Sequence, residues 1–578
     1  MCGIFALANY LKYDISSDPK TSFIKGKNRG PEMSILKSVS IDLLFGFHRL
    51  AINGLNKESN QPLEYKNITL ICNGEIYNYK ELYYVLNIEP NSKSDCEVII
   101  HLYISFGMER TLQLLDGVFA FILVDNNPEN TRMFVARDPY GVRPLYIMHN
   151  NTDNTMLGFA SEMKMLNDIC DNLDSYNINY FSPGTYSEYY YPEKVLSRWK
   201  FISNTKYFNN PFAGLSYSNV ELEYGCISDI FKNIRTNFMN AVYKRCYTTE
   251  RPIACLLSGG VDSSLVASLV NKYHDMHNMP KIETYSIGME GSEDLKYANE
   301  CAKFLKTKHT NIVLSKEDFL NAIPEVIKAI ESYDTTTVRA SIGNYLVAKY
   351  ISENSKAKVI FNGDGSDELF GGYLYMSHAK DCIEFDEECR RLLKDIHIFD
   401  VLRSDRSISS NGLEARTPFL DKNFTQYILS IPMRIRYKTG MLDNFAYFKS
   451  VEKYLLRYAF SSHSNRNISG LYLPENILWR TKEAFSDGVS SRDDSLFTII
   501  QKHVEDMDLD LDKHNYTHNP PTTKEQLYYR NLFEEYYPNK SELIPYYWMP
   551  KFIEATDPSA RTLDIYIESN YELQERSL

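Results

Sequence analysis

The chain has 578 residues, 43% hydrophobic and 24% charged, the balance of a globular protein large enough for several domains and a core that needs no disulfide or metal staples. A net charge of −12 argues against nucleic acid as the default partner, because phosphate contacts need concentrated lysine and arginine. No apolar run approaches the roughly 20 residues that span a bilayer, and MCGIFALANYLKYD lacks the regions of a signal peptide.

The ten cysteines show no CxxC pair and no cysteine–histidine cluster at zinc spacing. An unpatterned set fits a reducing compartment, so the expected location is the cytosol. In chain order, the first half predicts short strands at 3–8, 43–52, 68–72, 118–125, 133–137 and 145–148. Asn53-Gly54, Asn73-Gly74 and Asp138-Pro139 read as the turns between them. One helix is predicted after Ser94-Asp95, through Val98, Ile99, Leu102 and Tyr103. This pattern predicts an α+β sandwich of stacked antiparallel sheets flanked by helices.

Around 200–222 the composition shifts to Asn, Pro, Gly and Ser, which places a linker at 201–222 between domains 2–200 and 223–578. Beyond it, strands at 253–257, 283–288 and 358–362 alternate with helices, the first of them at 263–273. Such alternation predicts an α/β domain with a parallel sheet, here rich in helices.

Cys2 directly follows Met1, and its small side chain predicts removal of that methionine. The residue then carries a thiol beside a free α-amine, whose ordinary pKa of about 7.7–8.0 suits a general base near neutrality. FGFHRLAIN (45–53) supplies Arg49, a rigid guanidinium able to grip a carboxylate with two hydrogen bonds. CNGEIYN (72–78) supplies the Asn73 amide and the Gly74 N–H as oxyanion donors. SKSDCEV (92–98) supplies Asp95 to face an ammonium. Taken singly, the three segments also suit a surface cation, a hairpin turn and a helix cap.

In the second domain, a predicted strand runs into Ser258-Gly259-Gly260-Val261-Asp262-Ser263-Ser264 and then a helix. The glycines let N–H groups crowd an anion, the helix N-terminus adds its positive end, and Ser258, Ser263 and Ser264 add donors. No lysine follows, so this is not a Walker A loop. Asp262 would repel phosphate without an intervening cation, which marks it as a Mg²⁺ ligand.

MCGIFAL, RGPE, HRLAI, NGEIYN, SDCEVI, DGVFAF, RDPYGVRPLY and ASEMKML stand in the order of the class II, N-terminal-nucleophile glutamine amidotransferases, which the first domain resembles along its length. The resemblance implies that Cys2 is the glutaminase nucleophile. It further implies that Arg49, Leu50, Ala51, Ile52, Asn53, Asn73, Gly74, Glu75 and Asp95 bind glutamine. A small departure is Glu32, where that family has aspartate.

The SGGVDSS loop is similar to that of ATP pyrophosphatases. YSIGMEGSEDLKYA, YDTTTVRAS, NGDGSDELFGGY, GLEARTPFLD, WRTKEAFSDGV and YWMPKFIEATDPSARTLD carry a resemblance to the asparagine synthetase family from end to end. That likeness implies ATP-dependent synthesis of asparagine from aspartate and glutamine through β-aspartyl-AMP, with AMP, pyrophosphate and glutamate as further products. It implies an ATP site of Leu256, Ser258, Gly259, Gly260, Asp262, Ser263, Ser264, Ile287, Gly288, Asn362 and Gly363, with Mg²⁺ on Asp262 and Asp367. Lys482 would neutralise phosphate charge, and Asp334, Thr337 and Arg339 would take aspartate. The implied assembly is a homodimer that binds small molecules, with no nucleic acid and no membrane. Asn362-Gly363-Asp364 departs from the family's Ser-Gly-Glu, and Asp364 draws the carboxylate back by one methylene. Adenylating relatives acting on other carboxylates, and a fold retained without activity, are the alternatives.

Overall fold

The computed structural model describes the chain apart from residues 13–17, 152–155, 170–175, 193–196, 216–223, 438–450, 463–470, 483–484, 492–494 and 560–578. Its first domain is built on β1 (Gly3–Ala8), β2 (Met33–Ser40), β3 (Leu43–Arg49), β4 (Leu63–Tyr65), β5 (Ile68–Ile76) and β6 (Gly117–Asp125). β7 (Thr131–Arg137), β8 (Tyr146–Asn150), β9 (Leu157–Ala160), β10 (Tyr176–Tyr180), β11 (Thr185–Tyr191) and β12 (Lys200–Lys206) complete it. They form two antiparallel sheets, ordered β10-β8-β9-β1-β3-β2 and β12-β11-β7-β6-β5-β4.

Strand alternation builds the layers. Ala120, Ile122 and Val124 of β6 face the inter-sheet core with Ile4, Ala6, Phe45 and Phe47. The intervening Phe119, Phe121 and Leu123 turn outward, with Leu70 and Cys72 of β5, onto the helix Val98–Leu114. One strand therefore carries two apolar faces and reads as a continuous hydrophobic run.

Three sequence expectations are corrected here. Asn73 and Gly74 form no turn; they lie inside β5, opposite Ala120 and Phe119 of β6. Glycine is needed at 74 for close approach instead, since a Cβ there would stand 2.6 Å from the Val118 carbonyl oxygen. The strand at 43–52 stops at Arg49, and residues 50–54 leave the sheet as a loop. Residues 201–206 of the expected linker continue β12, while 216–223 lie outside the described residues.

The second domain holds a parallel sheet ordered β15-β14-β13-β16-β17, from β13 (Ile253–Leu256), β14 (Glu283–Gly288), β15 (Lys308–Val313), β16 (Val359–Phe361) and β17 (Glu414–Arg416). Ile253 and Cys255 point to one helical layer and Ala254 to the other. Chain order reverses direction across β13, so the crevice beyond its carboxyl end is the place where such sheets bind ligands. Buried ion pairs join the domains: Arg29 reaches Asp405 at 2.7 Å, and Arg416 reaches Glu75 at 3.2 Å. Among the described residues no helix is long and apolar enough to cross a membrane.

Candidate active sites

The first site gathers where β1 begins, β3 ends and β5 passes. The Cys2 thiol donates to the Leu50 carbonyl oxygen at 3.5 Å, and the Arg29 guanidinium donates to the Cys2 carbonyl oxygen at 3.0 Å. Burial pushes the Cys2 thiol up to about 11 in the chain that still bears Met1. Met1 itself is buried, and its α-amine donates to the Leu413 carbonyl oxygen at 2.8 Å; desolvation lowers that amine to about 5.

Asn73 is buried and its amide nitrogen has no hydrogen-bond partner, a donor awaiting an acceptor that the protein does not supply. Asn53 donates to Glu75 at 2.6 Å and to the Thr248 carbonyl oxygen at 3.1 Å. Arg49 donates to the carbonyl oxygens of Gly54 and Asn56 and to the Asn60 side chain, so part of its fork is already engaged. Asp95 accepts from the Ile76 N–H at 2.7 Å; burial outweighs that bond and lifts its carboxyl to about 6. Both backbone polar groups of Ala51 are occupied, N–H by Glu32 at 2.8 Å and C=O by Arg251 at 2.8 Å. The structure thus brings all nine expected glutamine residues to one corner, two of them by routes the sequence did not suggest.

The second site is a cavity of about 220 Å³ at the carboxyl ends of β13, β14 and β16. Leu256, Ser258, Gly260, Asp262, Ser263, Ile287, Asn362 and Gly363 line it, as do Asp364, Asp367, Thr337, Arg339 and Lys482. Gly259, Ser264, Gly288 and Asp334 do not. Gly259 has φ +75°, and a Cβ there would stand 2.5 Å from the Tyr297 carbonyl carbon, so it shapes the loop from behind. The loop braces itself: the Ser258 and Ser263 hydroxyls lie 2.9 Å apart, and the Gly260 N–H donates to Ser258 at 3.3 Å. The helix Val261–Met276 then starts with its N-terminal turn on the cavity.

At the polar end, Lys453 lies between two carboxylates, 2.6 Å from Asp262 and 2.7 Å from Asp367. Lys482 adds a contact to Asp367 at 2.7 Å. Burial opposes charge on Asp367 and Lys482, yet the two lysines hold Asp367 well below the carboxylate range, and Asp367 and Asp262 hold Lys482 above the lysine range. Lys453 escaped the sequence reading because it stands in SVEKYLLRYAF without a loop motif beside it, and Asp262 is 191 residues away. Its ammonium marks the spot where carboxylates of the required number and charge could instead share a divalent cation, so the pair fits Mg²⁺. Among the described residues no cluster of three or more metal-ligating side chains occurs.

Asp364 lies 3.4 Å from Arg403, which also holds Asp400 at 2.7 Å; burial raises Asp364 against the pull of that arginine. Of the expected aspartate residues, Asp334 caps the helix Thr335–Asn354, accepting from the Thr337 N–H at 2.8 Å and from the Trp548 N–H at 2.7 Å. Arg339 is paired with both Glu525 and Asp557. The Arg339 charge is therefore already matched inside the protein, and Asp334 is held by neutral donors while burial lifts its carboxyl to about 6; the Arg403–Asp400 pair lines the cavity beside Asp364.

A family model described as a glutamine amidotransferase domain matches residues 1–204, and one described as asparagine synthase matches residues 233–386 and 381–553. Among curated relatives, the glutamine-hydrolyzing asparagine synthetase of Gallus gallus is 42% identical, with 98% of this chain and 99% of that protein covered. The human and bovine proteins of the same name are 40% and 39% identical over the same shares.

Proposed function

The chain belongs to the glutamine-hydrolysing asparagine synthetase family, an ATP-dependent ligase family, and from there we propose how its residues divide the work. The reaction is synthesis of asparagine from aspartate with glutamine as nitrogen donor and ATP as energy source. With Met1 removed, Cys2 attacks the glutamine side-chain amide and its own α-amine takes the thiol proton. The Asn73 amide and the Gly74 N–H receive the oxyanion, Arg49 holds the carboxylate and Asp95 the ammonium of glutamine. Ammonia leaves and water releases glutamate. The single observation that carries this assignment is the buried, partnerless Asn73 amide on the strand beside the Cys2 loop.

In the cavity, the aspartate β-carboxylate attacks the ATP α-phosphorus, giving β-aspartyl-AMP and pyrophosphate; ammonia then displaces AMP. The SGGVDSS loop cradles the phosphates, Leu256 and Ile287 border the adenine, and Asn362 and Gly363 lie toward the ribose. Asp262 and Asp367 would hold Mg²⁺, which when bound supplies charge neutralisation on the pyrophosphate. Lys482 and Lys453 keep positive charge at the same end. We assign the aspartate pocket to the Thr337–Arg339 wall, with Arg403 and Asp364 opposite. By family likeness the chain pairs as a homodimer and works in the cytosol. Incubation with glutamine, aspartate and Mg-ATP should give asparagine with AMP; formation of ADP, or no asparagine, overturns the reading.

Two expectations follow from the geometry. Asp95 titrates at about 6 and must be ionised to hold an ammonium, so acidification protonates it and weakens binding. Glutamine kcat/KM should fall by up to about tenfold per pH unit below 6. Asp95→Asn should be low and flat; a wild-type profile flat to pH 5 would remove Asp95 from the ligand set. Asp364→Glu restores the missing methylene beside Arg403. An ångström of misplacement can cost on the order of 10²-fold, so ammonia-dependent turnover should rise several-fold. No gain would show that Asp364 does not limit the rate.

A further inference from the structure

The loop at 50–54 is held chiefly by the second domain. Residues 248–251, between the helix Tyr224–Tyr247 and β13, run beside it and bond to it in succession. The Thr248 carbonyl oxygen accepts from Asn53 at 3.1 Å, the Glu250 N–H donates to the Ile52 carbonyl oxygen at 3.0 Å, and the Glu250 carboxylate accepts from the Gly54 N–H at 2.7 Å. Arg251 donates from Nε to the Ala51 carbonyl oxygen at 2.8 Å and from its terminal nitrogen to Glu32 at 2.7 Å. The second Glu32 oxygen accepts from the Ala51 N–H at 2.8 Å, which closes a ring around Ala51, and that N–H shares its peptide with the Leu50 carbonyl oxygen. One residue back, the Leu50 carbonyl oxygen is the acceptor of the Cys2 thiol.

We propose that Glu32 and Arg251 are positioning residues for the glutaminase: together they fix both polar groups of Ala51, and through that peptide the Leu50 carbonyl oxygen that orients the Cys2 thiol. Neither touches the place of the reacting amide, and half of the device comes from the other domain. Glutamate at 32 spans Ala51 and Arg251 at once, one carboxylate oxygen to each. A lysine at 251 has no planar fork and cannot hold the two acceptors in fixed geometry. The pair is partly exposed, with side chains 28% and 32% accessible, so the fold does not depend on it as it does on the buried pairs.

This inference rests on the assignment of residues 49–54 to glutamine. The test measures glutamine KM and kcat, ammonia-dependent asparagine formation and the melting temperature, in wild type and in Arg251→Met, Arg251→Lys, Glu32→Gln and Glu32→Asp. Arg251→Met and Glu32→Gln should each raise glutamine KM about tenfold, with ammonia-dependent synthesis and melting unchanged. Arg251→Lys should stay near Arg251→Met, and Glu32→Asp should recover part of the loss. A glutamine KM unmoved in both Arg251→Met and Glu32→Gln overturns the proposal, as does an equal fall with both nitrogen sources. A wild-type chain that releases no glutamate overturns instead the glutaminase assignment beneath it. If Arg251→Met does not fold, Glu32→Gln, within the first domain, decides alone.

Discussion

Cys2→Ala should abolish glutamine-dependent asparagine synthesis, by at least about 10³-fold, and leave synthesis from ammonium salts within about twofold of wild type. Among the described residues the nucleophile has no substitute nearby: Cys72 and Cys96 are buried in the core between β5 and the helix Val98–Leu114, not at the loop that Cys2 addresses. Cys2 also lies outside the cavity we assign to nucleotide, so the two nitrogen sources should part cleanly. Cys2→Ser keeps an oxygen nucleophile and the same size; a hydroxyl is far harder to ionise than a thiol, so it should fare little better. Loss of both activities together would mean that Cys2 supports the fold, through the Arg29 bond to its carbonyl oxygen, and does not act as the nucleophile.

Lys482→Met should lower synthesis from either nitrogen source by about 10²–10³-fold, with glutamine hydrolysis retained. A desolvated cation aimed at developing phosphate charge is among the largest single contributions a site can make. Here Asp367 and Asp262 keep it protonated against burial. The counterpart Asp367→Asn leaves Lys453 and Lys482 facing each other without their shared anion, and should also weaken Mg-ATP binding. Pyrophosphate exchange into ATP, dependent on aspartate, reads this step apart from ammonia chemistry. Unimpaired exchange in Lys482→Met would remove that lysine from the phosphate end.

Local chain chemistry carried much of this. The SGGVDSS loop stands between a strand and a helix, as its pattern predicted. Continuous apolar runs located six of the twelve strands of the two antiparallel sheets, because burial on two faces writes itself into consecutive residues. What stayed hidden were groups whose role depends on distant partners. Lys453 gains meaning only when β13, the loop after β16 and a segment near residue 450 converge. Arg339 looks like a free cation in YDTTTVRAS until Glu525 and Asp557 neutralise it. Asn73-Gly74 carries the commonest turn dipeptide, and tertiary pairing with β6 overrode it. Glu32 looked like a minor variation until Arg251 appeared beside it.

β13 has four residues, Ile253–Leu256, about 13 Å of extended chain. The residues leading into it bond to the loop assigned to glutamine, and the residues leaving it line the cavity assigned to ATP. A single short rod thus sets the distance between two unlike chemistries and gives them a common zero. A deletion inside it would not only shorten that distance: the side-chain period of two would exchange its faces and turn both loops away at once. The tolerance of this enzyme to change should be lowest at a strand that touches neither reacting atom.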